Sequence, residues 1–91
     1  MTAQVVLPGV LAELCGSSTL EVEAGTLRSV LDALHEQHPV LVRRIRDETG
    51  ALRRYVNVYV DGDDVRFGDR LDTAVADGAT VQVLPSVAGG A

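Results

Sequence analysis

Residues 24–39, "AGTLRSVLDALHEQHP", constrain the fold more than any other stretch. Leu27, Val30, Leu31 and Leu34 fall at i, i+3, i+4 and i+7 and make one apolar stripe along a helix. Thr26 stands where its hydroxyl can accept from an otherwise unpartnered amide of the first turn. Pro39 stops the helix, because its ring disfavours helical geometry at His38. A helix of about three turns with a single stripe must bury that stripe against another layer. Nothing else in the sequence offers a second long helix to do so.

The rest of the chain supplies strands. "AQVVL" at 3–7 is apolar and β-branched, and "TLEVE" at 19–23 alternates, with Leu20 and Val22 on one face and Glu21 and Glu23 on the other. The connection between them, "PGVLAELCGSS", reads as a loop with one helical turn, so the two strands form a hairpin with a long connection. "VLVRRIR" at 40–46 adds a short second helix with Leu41, Val42 and Ile45 inward, and "DETGALRR" at 47–54 is a polar loop. "YVNVYV" at 55–60 is the clearest strand, with Val56, Val58 and Val60 on one face and Tyr55, Asn57 and Tyr59 on the other. Asp61-Gly62 is a hairpin turn, after which "DVRF" at 64–67 pairs back as a short strand. "LDTAVADGAT" holds a single helical turn and a second Asp-Gly turn, and "TVQVLP" at 80–85 is the last strand. One helix and a set of strands whose first and last members need a crossover are satisfied by a mixed sheet grasping the helix. The expected fold is therefore α+β, a β-grasp domain over 1–85 followed by a flexible tail over 86–91.

A chain of 91 residues holds one domain and leaves little room for a deep pocket with its own catalytic machinery. The net charge of −5 argues against nucleic acid and anionic membranes as partners. All eight basic residues are arginine, so no lysine side chain is present to accept an isopeptide bond. The single cysteine, Cys15, excludes an internal disulfide. No secretory signal and no bilayer-spanning segment is recognisable, which places the expected location in the cytoplasm.

Catalytic constellations are hard to find. His35 and His38 lie three apart near the end of the helix, with no cysteine or carboxylate cluster to complete a metal site, and read as solvent-exposed residues favourable at a helix C-terminus. Cys15, a conceivable nucleophile, has no basic neighbour in sequence and reads as a packed or idle thiol. "DGDD" at 61–64 lacks the ligand spacing and terminal glutamate of a calcium loop and reads as a solvated turn. Arg43-Arg44 and Arg53-Arg54 are solvated charges by default, or a docking point for an acidic partner. Tyr55, Asn57 and Tyr59 form a candidate partner surface on the sheet face away from the helix, or pack under a neighbouring loop.

The tail, "PSVAGGA", has two adjacent glycines, no charge and little bulk. Ser86 to Gly90 spans roughly 16–18 Å when extended, at ~3.3–3.6 Å per residue. Glycines have no side chains to block a narrow channel. Taken alone, the tail has two readings: a frayed terminus, or an arm inserted into another protein's active site.

Taken with the strands, the tail carries a resemblance. "YVNVYVDGDDVRF" at 55–67 followed by "LDTAVADGATVQVLPSVAGG" at 71–90 resembles the ubiquitin-like small sulfur-carrier proteins of thiamine, molybdopterin and cysteine pathways. The short "VAGG" tail is most like that of the thiocarboxylate carrier of cysteine biosynthesis. The resemblance covers essentially the whole chain and implies the same β-grasp fold. It implies that the protein is not an enzyme, and that an E1-like enzyme adenylates the carboxylate of Gly90, with Gly89 giving access. ATP and magnesium are supplied by that enzyme, and no cofactor is bound by the carrier. The adenylate becomes a thiocarboxylate, and a sulfur-accepting biosynthetic enzyme receives the sulfur. Family members in working form end at the second glycine, whereas Gly90 is followed here by Ala91. The resemblance therefore implies removal of Ala91, by a zinc metalloprotease of the kind that processes such carriers.

Two other functions fit the same residues: a protein modifier joined through Gly90 to lysines of target proteins, and a plain binding module with an idle tail. Cysteine, thiamine, molybdopterin and a sulfur-containing secondary metabolite are all compatible destinations for the sulfur.

Overall fold

In the computed structural model, which describes residues 1–85, the helical stripe forms α2 (Leu27–Gln37), and Leu27, Val30, Leu31 and Leu34 are all buried. Its start is fixed by a reciprocal cap: the Ser29 amide donates to Thr26 Oγ1 at 3.1 Å, and the Thr26 amide donates to Ser29 Oγ at 3.0 Å. Two of the first-turn donors are thereby satisfied locally. Gly25 is required beside this cap, because a Cβ there would stand 2.6 Å from Ser29 Oγ. Pro39 acts as expected and also opens α3 (Pro39–Ile45), where its missing amide costs nothing. Leu41, Val42 and Ile45 of α3 point inward and are buried.

Opposite α2 lies a mixed five-stranded sheet. Its strands are β1 (Thr2–Val6), β2 (Thr19–Glu23), β4 (Val56–Val60), β5 (Asp63–Asp64) and β7 (Thr80–Pro85), in the order β2-β1-β7-β4-β5. β1 and β2 form the expected antiparallel hairpin, and β1 and β7 pair in parallel, which is the crossover the strand order requires. Antiparallel register sets Val58 against Val83 and Val60 against Val81, so the valines of β4 and β7 share the face that α2 covers. Ala3, Val5 and Val22 extend that face across the sheet, and all are buried. A second, two-stranded ladder of β3 (Gly25–Thr26) and β6 (Ala74–Val75) lies beside the α2 N-terminus. It is reinforced by the Leu27 amide, which donates to the Thr73 carbonyl at 2.9 Å.

The structure departs from the expected elements in four places. The β1–β2 connection contains a regular helix, α1 (Gly9–Cys15), rather than a loop with one turn. Only Leu11 is buried on α1, so the helix carries no apolar stripe to mark it in the sequence. Gly16, left-handed at φ 78°, stops it, and the Gly16 amide donates to the Ala12 carbonyl. After the Asp61-Gly62 turn only Asp63 and Asp64 pair with β4; Val65–Phe67 curls into a 3-10 turn capped by Asp64, whose Oδ1 accepts from the Arg66 amide at 2.9 Å. The expected helical turn within 71–80 is a second 3-10 turn at Arg70–Asp72, followed by β6. The loop at 47–54 is not wholly polar in role, since Leu52 bridges to Arg46 and packs against the core. The tail, with Gly89, Gly90 and Ala91, lies outside the described residues. Among the described residues no helix is long and apolar enough to cross a membrane.

The loop after α3 is organised by Asp47. Its Oδ1 accepts from the Thr49 hydroxyl at 2.5 Å, the Thr49 amide at 2.8 Å and the Ala51 amide at 3.2 Å. These bonds, the Thr49 hydroxyl foremost, hold the Asp47 carboxyl below the ordinary aspartate range. A folded-state value below the unfolded one makes the contribution complete at neutral pH, and it is lost as pH falls through the folded value in the acid range.

Two outcomes are expected. Leu31→Ala costs roughly 2–5 kcal/mol in chemical denaturation, as for other buried leucines. An NMR titration finds Asp47 with a midpoint below the ordinary aspartate value, and Thr49→Val moves that midpoint upward.

Candidate functional site

β7 is the last described strand and runs through the middle of the sheet, flanked by β1 and β4. Val81 and Val83 project toward α2 and have no exposed surface, whereas Gln82 and Leu84 project to the opposite face and are exposed. The chain is thus anchored in the best-buried part of the molecule up to Pro85, which pairs with Val56.

On the face away from α2, cross-strand pairing sets Asn57 beside Leu84 and Tyr59 beside Gln82. Alternation along β4 requires this once the valines face inward. The three residues singled out from the sequence are not equally available. Tyr55 lies in the turn before β4 and is 52% exposed, while Asn57 and Tyr59 are half-buried. Arg66, from the first 3-10 turn, donates through Nη1 to Asn57 Oδ1 at 3.1 Å and through Nη2 to the Arg53 carbonyl. Asn57 is thereby held in place, and one guanidinium ties the Arg53 segment, β4 and the 3-10 turn together. Tyr59 pairs on its other side with Asp64 of β5. The expected two-tyrosine patch is therefore a mixed surface of Tyr55, Asn57, Tyr59 and Leu84 beside Arg66. The sequence hid the part played by Arg66, because its partners lie nine and thirteen residues away.

The other candidates separate. His35 is exposed on the last turn of α2, and His38 is half-buried between α2 and α3. Among the described residues no group of three or more His, Cys, Asp and Glu side chains is placed to share a metal ion. Cys15 is half-buried, and its thiol donates to the carbonyls of Ala12 at 3.7 Å and Ser17 at 3.3 Å. In the "DGDD" turn, Asp61 Oδ1 accepts from the Thr80 amide at 2.9 Å and Asp64 caps the 3-10 turn, so two of its three carboxylates serve local backbone amides. Arg53 Nε donates to the Arg43 carbonyl at 2.7 Å, and Arg44 is exposed.

The chain matches the ThiS family over residues 5–90. It is 38% identical to the sulfur carrier protein CysO of Mycobacterium tuberculosis, across 99% of this chain and all of that one. The crystal structure of the same protein superposes with a TM-score of 0.86, covering 93% of this chain and 99% of the other. A crystal structure of the Amycolatopsis orientalis BexX/CysO complex contains a chain 34% identical, with a TM-score of 0.82, covering 97% of this chain and 99% of that one. Small archaeal modifier protein 1 of Haloferax volcanii is 35% identical over 88% of this chain and 91% of its own length. Its crystal structure superposes with a TM-score of 0.82, covering 99% of this chain and all of that one. A central, buried last strand, one grasped helix, and near full-length likeness to these proteins lead to one assignment: the chain belongs to the ThiS family of ubiquitin-like sulfur carriers and has their β-grasp fold.

Proposed function

We propose that this chain carries sulfur as a thiocarboxylate on Gly90, once Ala91 has been removed. The observation that carries the reading is the family match, which runs through Gly89-Gly90 and stops one residue before Ala91. The chemistry is simple to state. A carboxylate oxygen of Gly90 attacks the α-phosphorus of ATP, pyrophosphate leaves, and the product is an acyl-adenylate. A sulfide-level sulfur nucleophile then adds to the acyl carbon; the bond to AMP breaks and a thiocarboxylate remains. Ala91 blocks the first step, because it keeps the Gly90 carbonyl in an amide with no free carboxylate. A metalloprotease that frees Gly90 fits this need.

The carrier supplies no general base and no metal in this scheme. An E1-like enzyme brings ATP and magnesium, and a biosynthetic enzyme accepts the sulfur. Two features support a division of labour in which this chain offers a held surface and a small terminus. β7 anchors the chain as far as Pro85, and Asn57, fixed by Arg66, lies on the open face beside it. The crystallised complex of a relative with a second protein supports a docking partner in the same way. Tyr55, Asn57 and Tyr59 are the proposed contact residues on that face, and Gly89 gives the partner access to Gly90.

The likeness to a protein named as a small archaeal modifier favours one second reading: an isopeptide bond between Gly90 and a lysine of a target protein. Mass spectrometry of the protein from its native host separates the two. Loss of alanine with replacement of one terminal oxygen by sulfur is expected. High-mass conjugates without any thiocarboxylate would establish the modifier instead. A second outcome concerns the tail. Deleting Gly89 to Ala91 is expected to abolish adenylation and to leave the melting temperature nearly unchanged, since among the described residues the core ends at Val83. A large loss of stability would show that the tail is a packed element and would weaken the delivery reading.

A further inference from the structure

Seven of the eight arginines line two neighbouring cavities. Arg43, Arg46 and Arg53 line one of about 570 Å³. Arg28, Arg54, Arg66 and Arg70 line the other, of about 490 Å³. The 50–54 segment runs between them, with Gly50 and Arg53 on one side and Ala51, Leu52 and Arg54 on the other. Only four of the thirteen acidic residues, Asp47, Glu48, Asp69 and Asp72, line either cavity. A chain with net charge −5 thus gathers seven of its eight arginines on one track, in which Arg46 is already paired with Asp32 at 2.9 Å.

We propose that this track, centred on the cavity of Arg28, Arg54, Arg66 and Arg70, docks a carboxylate-rich segment of a partner protein. Several observations converge there. Arg66 is held by Asn57 and the Arg53 carbonyl, so its charge is fixed at one wall. Arg28 is paired with Asp72 at 3.1 Å, but both side chains are more than half exposed, a pair that exchanges readily with other carboxylates. Among the described residues the side chains of Arg54 and Arg70 make no hydrogen bond or ion pair, and both residues are exposed. Arg70 sits at φ 52°, a left-handed backbone unusual for a non-glycine residue and often found where a surface is used. Leu52 and Leu71, both half-buried, give the cavity an apolar floor for the methylene stems of acidic side chains.

The shape favours a protein segment over a small anion. A small ligand needs enclosure, whereas here two open cavities lie in series and three of the four arginines of the central one are exposed. Guanidinium groups spaced along a track match a run of carboxylates, each pair adding to encounter rate and orientation. The identity of the partner rests on the carrier reading. Arg53-Arg54 precede Tyr55 and Val56, and Val56 pairs with Pro85, so an enzyme that receives the residues after Pro85 would lie over the start of the track.

The test needs no activating enzyme. Isotope-labelled protein is titrated with acetylated hexaglutamate and followed by amide chemical shifts. Saturable shifts are expected at residues 51–54 and 66–72, with affinity at least about tenfold weaker in the Arg54→Glu/Arg70→Glu variant and in high salt, where exposed charges are screened. Arg44→Glu, outside both cavities, binds as the parent does. The altered side chains are exposed, and the same spectra report whether the variants are folded. Absent shifts, shifts spread evenly over the surface, or equal binding by the double variant would overturn the proposal. Saturation of the same amides by inorganic pyrophosphate at lower concentration than hexaglutamate would overturn it in favour of a phosphate ligand. Mass spectrometry that finds no thiocarboxylate would remove the carrier reading and leave this result intact.

Discussion

The parallel pairing of β1 with β7 is the constraint on which the rest of the molecule depends. It brings the first strand of the chain against the last and sets β7 in the centre of the sheet. Val5 pairs with Val81, and neither side chain has exposed surface. A parallel pair needs a covered crossover, and the segment between β1 and β7 supplies it with α2, whose stripe closes over the inner valines. The ends of β7 are held as well. The Thr80 amide donates to Asp61 Oδ1, and at the other end Pro85 pairs with Val56. The last described strand is therefore fixed along its whole length, from Thr80 to Pro85.

A carrier of the proposed kind needs a rigid domain rather than a catalytic group of its own. In the proposed function its work is presentation of Gly90 to a partner that grips the folded domain. The outer face of β4 and β7 is the proposed contact surface, with Asn57 held by Arg66 rather than left to rotate. The arginine track is proposed as a second, with Arg54 two residues before Val56, the partner of Pro85. Arg66 belongs to both, since it bonds Asn57 on the sheet and lines the central cavity of the track.

Much of this was legible in the residues. The i, i+3, i+4, i+7 leucines and valine dictated α2, and Thr26 and Pro39 its ends. The alternation of "YVNVYV" fixed which face of β4 is buried, and Asp61-Gly62 predicted a two-residue hairpin, realised with φ of 50° and 89°. What the sequence hid depends on contacts between distant positions. α1 has one buried residue and packs against α3, so its own pattern does not reveal it. The β3–β6 ladder joins two-residue strands some fifty positions apart. The half-burial of Tyr59 and the tie from Arg66 to Asn57 both follow from "DVRF" turning after two paired residues instead of continuing as a strand. Local strand propensity at Val65 to Phe67 loses there to the Asp64 cap and the burial of Val65. The arginine track was visible only as two dipeptides, because the chain assembles it from α2, α3, the 50–54 segment and both 3-10 turns.

In the proposed function the carboxylate of Gly90, and not that of any later residue, is the group that reacts. ATP–pyrophosphate exchange by the cognate activating enzyme tests it directly, using two purified forms of the chain, one ending at Gly90 and one at Ala91. Exchange is expected with the form ending at Gly90 and none with the form ending at Ala91. Equal exchange with both, or exchange with the Ala91 form alone, would contradict it.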